Sequence, residues 1–343
     1  MENTKEEIKL LPWAFFIIHG LVEVVCFSIL YDKFGLGLSV IVALIYDYFA
    51  FATQAFVGQL NSMFRRLDIG SIGVLLMVIS IFMTDAEDET IALIGIGVLG
   101  LGNAFLHEAG AIATTICSEG KLFPSALFVG GGSFGLIIGQ TLGAAGISRY
   151  VLLALMLIVE ALLLMTNKHW LKNIKIPKFT LVKEDKTDWV IIAAAFGVTA
   201  VRSFIGYAIP ISWKKELWQA FLLFFIMGIG KAVGGYLADR FGAKRVGVWA
   251  SLSSIPFLLG GNQIMWISII GVFLFSLTMS ITFGMLLSVI KNNPGLAFGV
   301  TTLALFIGML PVVLFGTFGT TINSILVVIL SLGSAYCLHK TLK

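Results

Sequence analysis

Charge is what this chain has least of: Asp, Glu, Lys and Arg together make up 12% of its 343 residues, against 58% hydrophobic. A soluble domain carries about twice that charged fraction, so a freely soluble globular protein is excluded. The net charge of +4 is mild and comes from loops, which gives no case for a nucleic-acid partner. Cysteine is scarce too. Cys26, Cys117 and Cys337 lie in or beside apolar segments without metal-ligand spacing, so they are read as free, inert thiols. No polar stretch is long enough for a soluble receiver or effector domain, which argues against a membrane sensor or scaffold. His107 and Glu108 could serve as acid and base, but no nucleophile, second histidine at metal-ligand spacing or paired-carboxylate motif accompanies them. No catalytic residue, metal or cofactor is therefore expected. The first apolar run has no A-x-A-like site after it and is expected to be a retained helix instead of a cleaved signal.

What the chain has in abundance is apolar runs of roughly 20 residues, the length at which a helix spans a hydrocarbon core of about 30 Å. Breakers divide them into twelve spans, near residues 12–31, 38–60, 69–84, 90–116, 123–146, 149–166, 188–208, 216–238, 245–261, 264–290, 294–318 and 321–338. The short loops make consecutive helices antiparallel neighbours. An even number of spans puts both ends on one side. The loops and tails of that side hold 17 of the 23 Lys and Arg residues, while the acidic turn 84–90 falls opposite, so both termini are expected in the cytoplasm. Residues 167–187 form the longest polar interval and divide the chain into a six-helix bundle over 1–166 and another over 188–343. Trp13 and Tyr31 recur as Trp189 and Tyr207, and Gly58 to Phe64 echo Gly235 to Phe241. Parallel transporter repeats leave this kind of trace, and they place a path between two lobes.

Glycine is frequent and follows helical spacing. Gly95-Ile96-Gly97-Val98-Leu99-Gly100 is a literal G-x-G-x-x-G, but it neither follows a strand nor opens a soluble helix, so nucleotide binding is not its meaning. Gly131, Gly135, Gly139 and Gly143 recur every fourth residue, as do Gly230 and Gly234, and such small faces let helix backbones approach closely in lipid.

An ionised group at the bilayer centre costs about 2.5–3.5 kcal/mol, so each one needs a partner or a watered cavity. His19 and Glu23 share a helix face and are expected to form a proton site facing the central path. His107 and Glu108 lie roughly 100° apart on their helix, so only one of them need line the path. Asp47 and Gln54 are read as polar cavity lining. Arg202 is suited either to an anionic substrate or to an internal carboxylate such as Glu23, the second being slightly favoured. Glu160 is placed on the flank, and Lys231 is expected to snorkel toward the cytoplasmic surface.

The turn Gly234-Gly235-Tyr236-Leu237-Ala238-Asp239-Arg240-Phe241-Gly242-Ala243-Lys244-Arg245 resembles the loop signature of the major facilitator superfamily. A closer resemblance, to fosmidomycin-resistance-type drug efflux transporters, is carried by several segments in order. They are His19 to Glu23, Gly100 to Gly110 with His107 and Glu108, Ser118 to Lys121, Phe128 to Gly135 with Gly139, Val201-Arg202-Ser203-Phe204 with Ile209-Pro210, and Asp239 to Gly242. The resemblance implies twelve transmembrane helices in two pseudo-symmetric six-helix bundles. It further implies proton-coupled antiport exporting a small organic molecule or drug by alternating access, with uptake by proton symport as the alternative. His19, Glu23, His107 and Glu108 would couple protons, and Asp47, Gln54 and Arg202 would line the substrate cavity. The expected protein is a monomer in the plasma membrane whose partners are its substrate, protons and lipid. Asp239, Arg240, Gly235 and Gly242 would gate it. Asp239 should meet the free amides at the start of the fifth helix, near Pro124, latching the lobes on the cytoplasmic side. Ser62, at the equivalent first-half position, brings no charge to the start of the eleventh helix at Pro294, so the gate should be asymmetric.

Overall fold

The computed structural model describes residues 2–35, 39–171, 175–209 and 211–343. Leu38, residues 172–174 of the central polar interval, and Pro210 of the Ile209-Pro210 segment lie outside the described residues. The twelve helices are α1 (Glu2–Phe34), α2 (Val40–Met63), α3 (Ile69–Thr84), α4 (Glu89–Ile116), α5 (Phe123–Ala144), α6 (Arg149–Trp170), α7 (Asp188–Ala208), α8 (Leu217–Phe241), α9 (Ala243–Gly260), α10 (Met265–Val289), α11 (Pro294–Phe315) and α12 (Thr320–Thr341). Among the described residues, ten are long and apolar enough to cross a membrane. The largest departure from the expected spans is α1, which starts ten residues early and carries Pro12 inside it. Its N-terminal extension is built of Lys and Glu, which favour helix although they do not favour lipid.

Local chemistry sets the helix ends. Asp68, Asp88 and Asn293 each accept a backbone N–H of the following first turn, and Glu216 forms a reciprocal capping box with Gln219. Two spans that read as continuous are interrupted. A π-helical segment, Tyr48–Ala52, breaks α2, and α10 is offset at Leu277 and Thr278. Irregular turns of this kind inside a span are tolerated where neighbouring protein satisfies the freed backbone.

Backbone proximity builds each bundle. A Cβ at Gly131, Gly135, Gly139 or Gly143 of α5 would run into the carbonyl oxygens of Phe16, Gly20, Val24 or Ser28 on α1, so the glycine face is the α1–α5 seam. Gly230 and Gly234 press α8 onto α10 at Phe273 and Leu277.

The bundles meet chiefly along two helix pairs, α2 with α11 and α5 with α8, and α4 also touches α11 at Gly295. Gly58 abuts the backbone of Gly295, Gly299 abuts Ala55, and Gly130 and Gly228 face one another. These contacts lie at mid-helix or nearer the face that bears both termini, where Asn293 also donates to Gln59 at 2.9 Å and Arg65 to the Asn292 carbonyl at 3.2 Å. That face is closed. The central polar interval is itself docked there: Val182 bridges Leu342, and Lys343 N–H donates to the Leu181 carbonyl at 2.9 Å. On the opposite face, Asp85 of the acidic turn pairs with Lys33 at 3.5 Å and Arg149 at 3.1 Å.

Candidate functional site

The four-residue spacing of His19 and Glu23 on α1 turns both side chains toward α4, where Asn103 and His107 repeat the same spacing. All four are buried. His19 Nε2 lies 2.6 Å from His107 Nε2, and Glu23 Oε1 lies 3.1 Å from His107 Nε2 and 3.6 Å from His19 Nε2. Asn103 Nδ2 donates to Glu23 Oε1 at 3.0 Å and to the Tyr46 hydroxyl at 2.9 Å, with Cys26 Sγ beside it. The outer nitrogens are held as well. His19 Nδ1 is 2.8 Å from the Phe128 carbonyl, and Gln54 Nε2 is 3.1 Å from His107 Nδ1.

These contacts fix the proton count. A carbonyl only accepts, so His19 Nδ1 carries a hydrogen and the Nε2 of neutral His19 is an acceptor. His107 Nε2 is then the donor, leaving its Nδ1 free to accept from Gln54. One hydrogen thus lies between two imidazoles, with a carboxylate beside it able to hold a second. The three inner atoms lie within 4.8 Å of one another, as metal ligands would. Two imidazoles on one tetrahedral ion at about 2.0–2.1 Å would stand roughly 3.3 Å apart, so a 2.6 Å separation suits a shared proton.

His107 and Glu108 diverge as their spacing requires. Glu108 is fully buried and its oxygens have no hydrogen-bond partner; it points at Gly295, at the first turn of α11. Glu160 accepts from Ser71 at 2.8 Å on the α3–α6 flank.

Two expectations are corrected. Lys231 does not snorkel to the surface: its Nζ donates to Ser133 Oγ at 2.8 Å across the α5–α8 seam, within electrostatic range of Glu23 and Arg202. Its position halfway along α8, beside the glycine face, holds it inside. Arg202 does not reach Glu23 or any other carboxylate among the described residues. Its guanidinium contacts Met279 Sδ and lies 5.4 Å from the centre of the Phe275 ring. Oε1 of Glu23 is already engaged by Asn103 and the two imidazoles. Asp47 is half-buried, within electrostatic range of Glu23 and of Tyr207 on α7, whereas Gln54 belongs to the buried histidine network. Sequence reasoning passed over Asn103, Tyr46 and Ser133; the one available signal was Asn103 lying four residues before His107.

At the face bearing the termini, Asp239 Oδ1 and Oδ2 accept the Leu122 and Phe123 N–H groups at 2.7 and 2.8 Å. Arg240 donates to the Tyr236 hydroxyl at 3.0 Å, and the Tyr236 ring meets Phe123 edge-on. A Cβ on Gly235 would strike Ala126, and Gly242, at φ 92°, makes the turn into α9. Among the described residues Ser62 bonds to the Gln59 carbonyl of its own helix, so a carboxylate holds the α5–α8 seam, whereas Asn293 on Gln59 and the Arg65 guanidinium on the Asn292 carbonyl hold the α2–α11 seam.

The fold is that of the major facilitator transporters. The chain superposes on a variant of the Escherichia coli fucose:proton symporter FucP with a TM-score of 0.64 at 16% identity, covering 96% of this chain and 98% of that one. FucP in its outward conformation gives 0.59 at 16% identity, over 94% and 98%. The human organic anion transporter MFSD10 (TETRAN) gives 0.66 at 12% identity, over 96% and 99%. No protein-family model and no curated protein matches the sequence. The chain therefore has the major facilitator fold, twelve helices in two six-helix bundles, and the narrower efflux resemblance rests on its motifs alone.

Proposed function

We propose that this chain is a proton-coupled secondary transporter in the plasma membrane, its termini cytoplasmic, moving a small organic molecule by alternating access. The bundles over 1–166 and 188–343 rock about a site between them, with 167–187 as the linker. The observation that carries this reading is the His19–His107–Glu23 cluster. Three titratable groups share one buried contact, and the outer nitrogens of both imidazoles are held by neutral partners, so a single added proton has a defined place. Buried ionisable groups in a membrane span cost stability whatever their role, so a cluster of three marks a functional site. The Asp239 contacts fit a latch that closes the cytoplasmic side, and Glu108, sealed without a partner at the α4–α11 contact, would meet water when that side opens. The named functions of FucP and MFSD10 add support for small-molecule transport.

The motif resemblance favours export by antiport. The test is a pH-sensitive dye inside proteoliposomes while sugars, organic acids and drugs are added in turn. A substrate-dependent proton flux in wild type that vanishes in folded Glu23→Gln is expected, and its sign separates antiport from symport. No flux with any compound, from protein shown to be folded, would overturn the proposal.

A further inference from the structure

Gln54 touches both the buried histidine cluster and the seam between the bundles. It follows the π-helical segment Tyr48–Ala52 of α2, and π turns inside α-helices gather at functional sites. Side chains bond to three successive carbonyls of that segment. Thr53 donates to Phe49 at 2.5 Å, Gln54 Nε2 to Ala50 at 2.5 Å, and Thr302 of α11 to Phe51 at 3.0 Å. A Cβ on Gly299 of α11 would strike the backbone of Gln54 and Ala55, so a shift of this stretch is felt across the seam.

The two ends of the Gln54 amide are treated unequally. Its two N–H groups serve the Ala50 carbonyl and His107 Nδ1, the latter at 3.1 Å, while Oε1 is buried without a hydrogen-bond partner. A carbonyl can only accept, so Nε2 must face Ala50, and that orientation requires a bare His107 Nδ1. A further proton on the rings has to land there. His19 Nδ1 already holds a hydrogen against the Phe128 carbonyl, and the 2.6 Å contact between the two Nε2 atoms holds one more. Once His107 Nδ1 bears hydrogen, it meets a donor. Turning the amide over offers it the idle Oε1 but sets the same oxygen against the Ala50 carbonyl. No orientation satisfies both, so protonation breaks one of the two bonds. The other titratable groups near the ring are His19 and Glu23 of α1. Asp47 of α2 and Lys231 of α8 are in electrostatic range of Glu23, Glu108 points away at Gly295, and α5 and α11 carry no titratable residue.

We propose that Gln54 reads the protonation of His107 and passes it to the α2–α11 seam. With the ring neutral, the amide ties the π-helical segment to α4 and the cytoplasmic side stays shut. With the ring charged, Gln54 turns its oxygen to Nδ1 and gives up Ala50, the segment yields, and the seam loosens. Gln54 is a positioning residue that joins proton to gate. The role rests on the transport reading for its purpose, but the response of the seam to pH tests it without any substrate.

The experiment measures distances between nitroxides by pulsed electron resonance on the full chain in lipid nanodiscs. The labels sit on Arg66→Cys, after α2, and Arg245→Cys, in the first turn of α9, both exposed, with Cys117 and Cys337 replaced by alanine. The ratio of long to short distances counts open against closed cytoplasmic sides. From about pH 8 down to about pH 5, where histidine gains its charge, the ratio should rise about 3–10-fold, the worth of one neutral hydrogen bond. In Gln54→Leu, which has neither donor nor acceptor, the ratio should not change with pH. In Gln54→Glu the carboxylate accepts from the imidazolium, so the acid-side ratio should persist to higher pH, by about tenfold or more in proton concentration. If Gln54→Leu does not fold, Gln54→Glu decides. A wild-type ratio indifferent to pH, a Gln54→Leu variant that responds as wild type does, or an unmoved Gln54→Glu profile would each overturn the proposal. Proton flux in liposomes alongside a flat ratio would strike out the switch alone. A ratio that depends on Gln54, with no flux for any substrate, would count against the transport reading alone.

Discussion

Replacing Asp239 with asparagine removes one charge and one of two acceptors from a contact that joins the bundles. The carboxylate takes two backbone N–H groups at 2.7 and 2.8 Å, at the positive end of a 22-residue helix. Hydrogen bonds to a charged group contribute about 1.5–3 kcal/mol when buried. Asp239 is exposed on its outer side, so screening reduces the loss to roughly 1–2 kcal/mol. That shifts the ratio of open to closed cytoplasmic sides by about 5–30-fold. Ile112, buried against Gly295 at the α4–α11 contact, reports on it. With Cys117 and Cys337 replaced by alanine, maleimide should label Ile112→Cys from the cytoplasmic side about 5–30 times faster in the Asp239→Asn background, as the accessible population grows. A rate within twofold of the parent would show that these two hydrogen bonds do not hold the gate.

Glu23→Gln should lower pH-driven transport at least tenfold while substrate exchange without a gradient persists; loss of both together would assign Glu23 to folding or substrate binding instead. Gly58→Val should hold the α2–α11 seam apart, because any Cβ there meets Gly295 backbone. The expected result is faster labelling of Ile112→Cys and little net transport, and unchanged labelling would refute the close approach. Gly135→Leu should destabilise the first bundle by several kcal/mol, since its Cβ would strike the Gly20 carbonyl oxygen and bulkier atoms would force α1 off α5. Expression and unfolding temperature near wild type would contradict that packing. Gln54→Leu, by removing the donor to His107 Nδ1, frees the ring to flip; the pH dependence of transport should shift, and an unaltered pH profile would count against a fixed tautomer.

The sequence by itself determined the number of helices, their order and that both termini lie on one side, because a bilayer forces every span to satisfy its own backbone and to be about 20 apolar residues long. It also determined which ionisable residues required explanation, and the four-residue glycine repeats announced a close helix contact before its partner was known. What the spacing of residues along one helix does not contain is the identity of the neighbour. Only the tertiary structure decided that His19 meets His107, that Glu108 turns away toward Gly295, and that Asn103 and Gln54 complete the network, since these pairs are set by the α1–α4, α2–α4 and α4–α11 crossings. The same reason separates Arg202 from Glu23: both are buried charges in search of a partner, and the sequence favoured pairing them. The fold instead sets the Arg202 guanidinium against Met279 and Phe275 of α10, a neighbour that the spacing along α7 does not reveal.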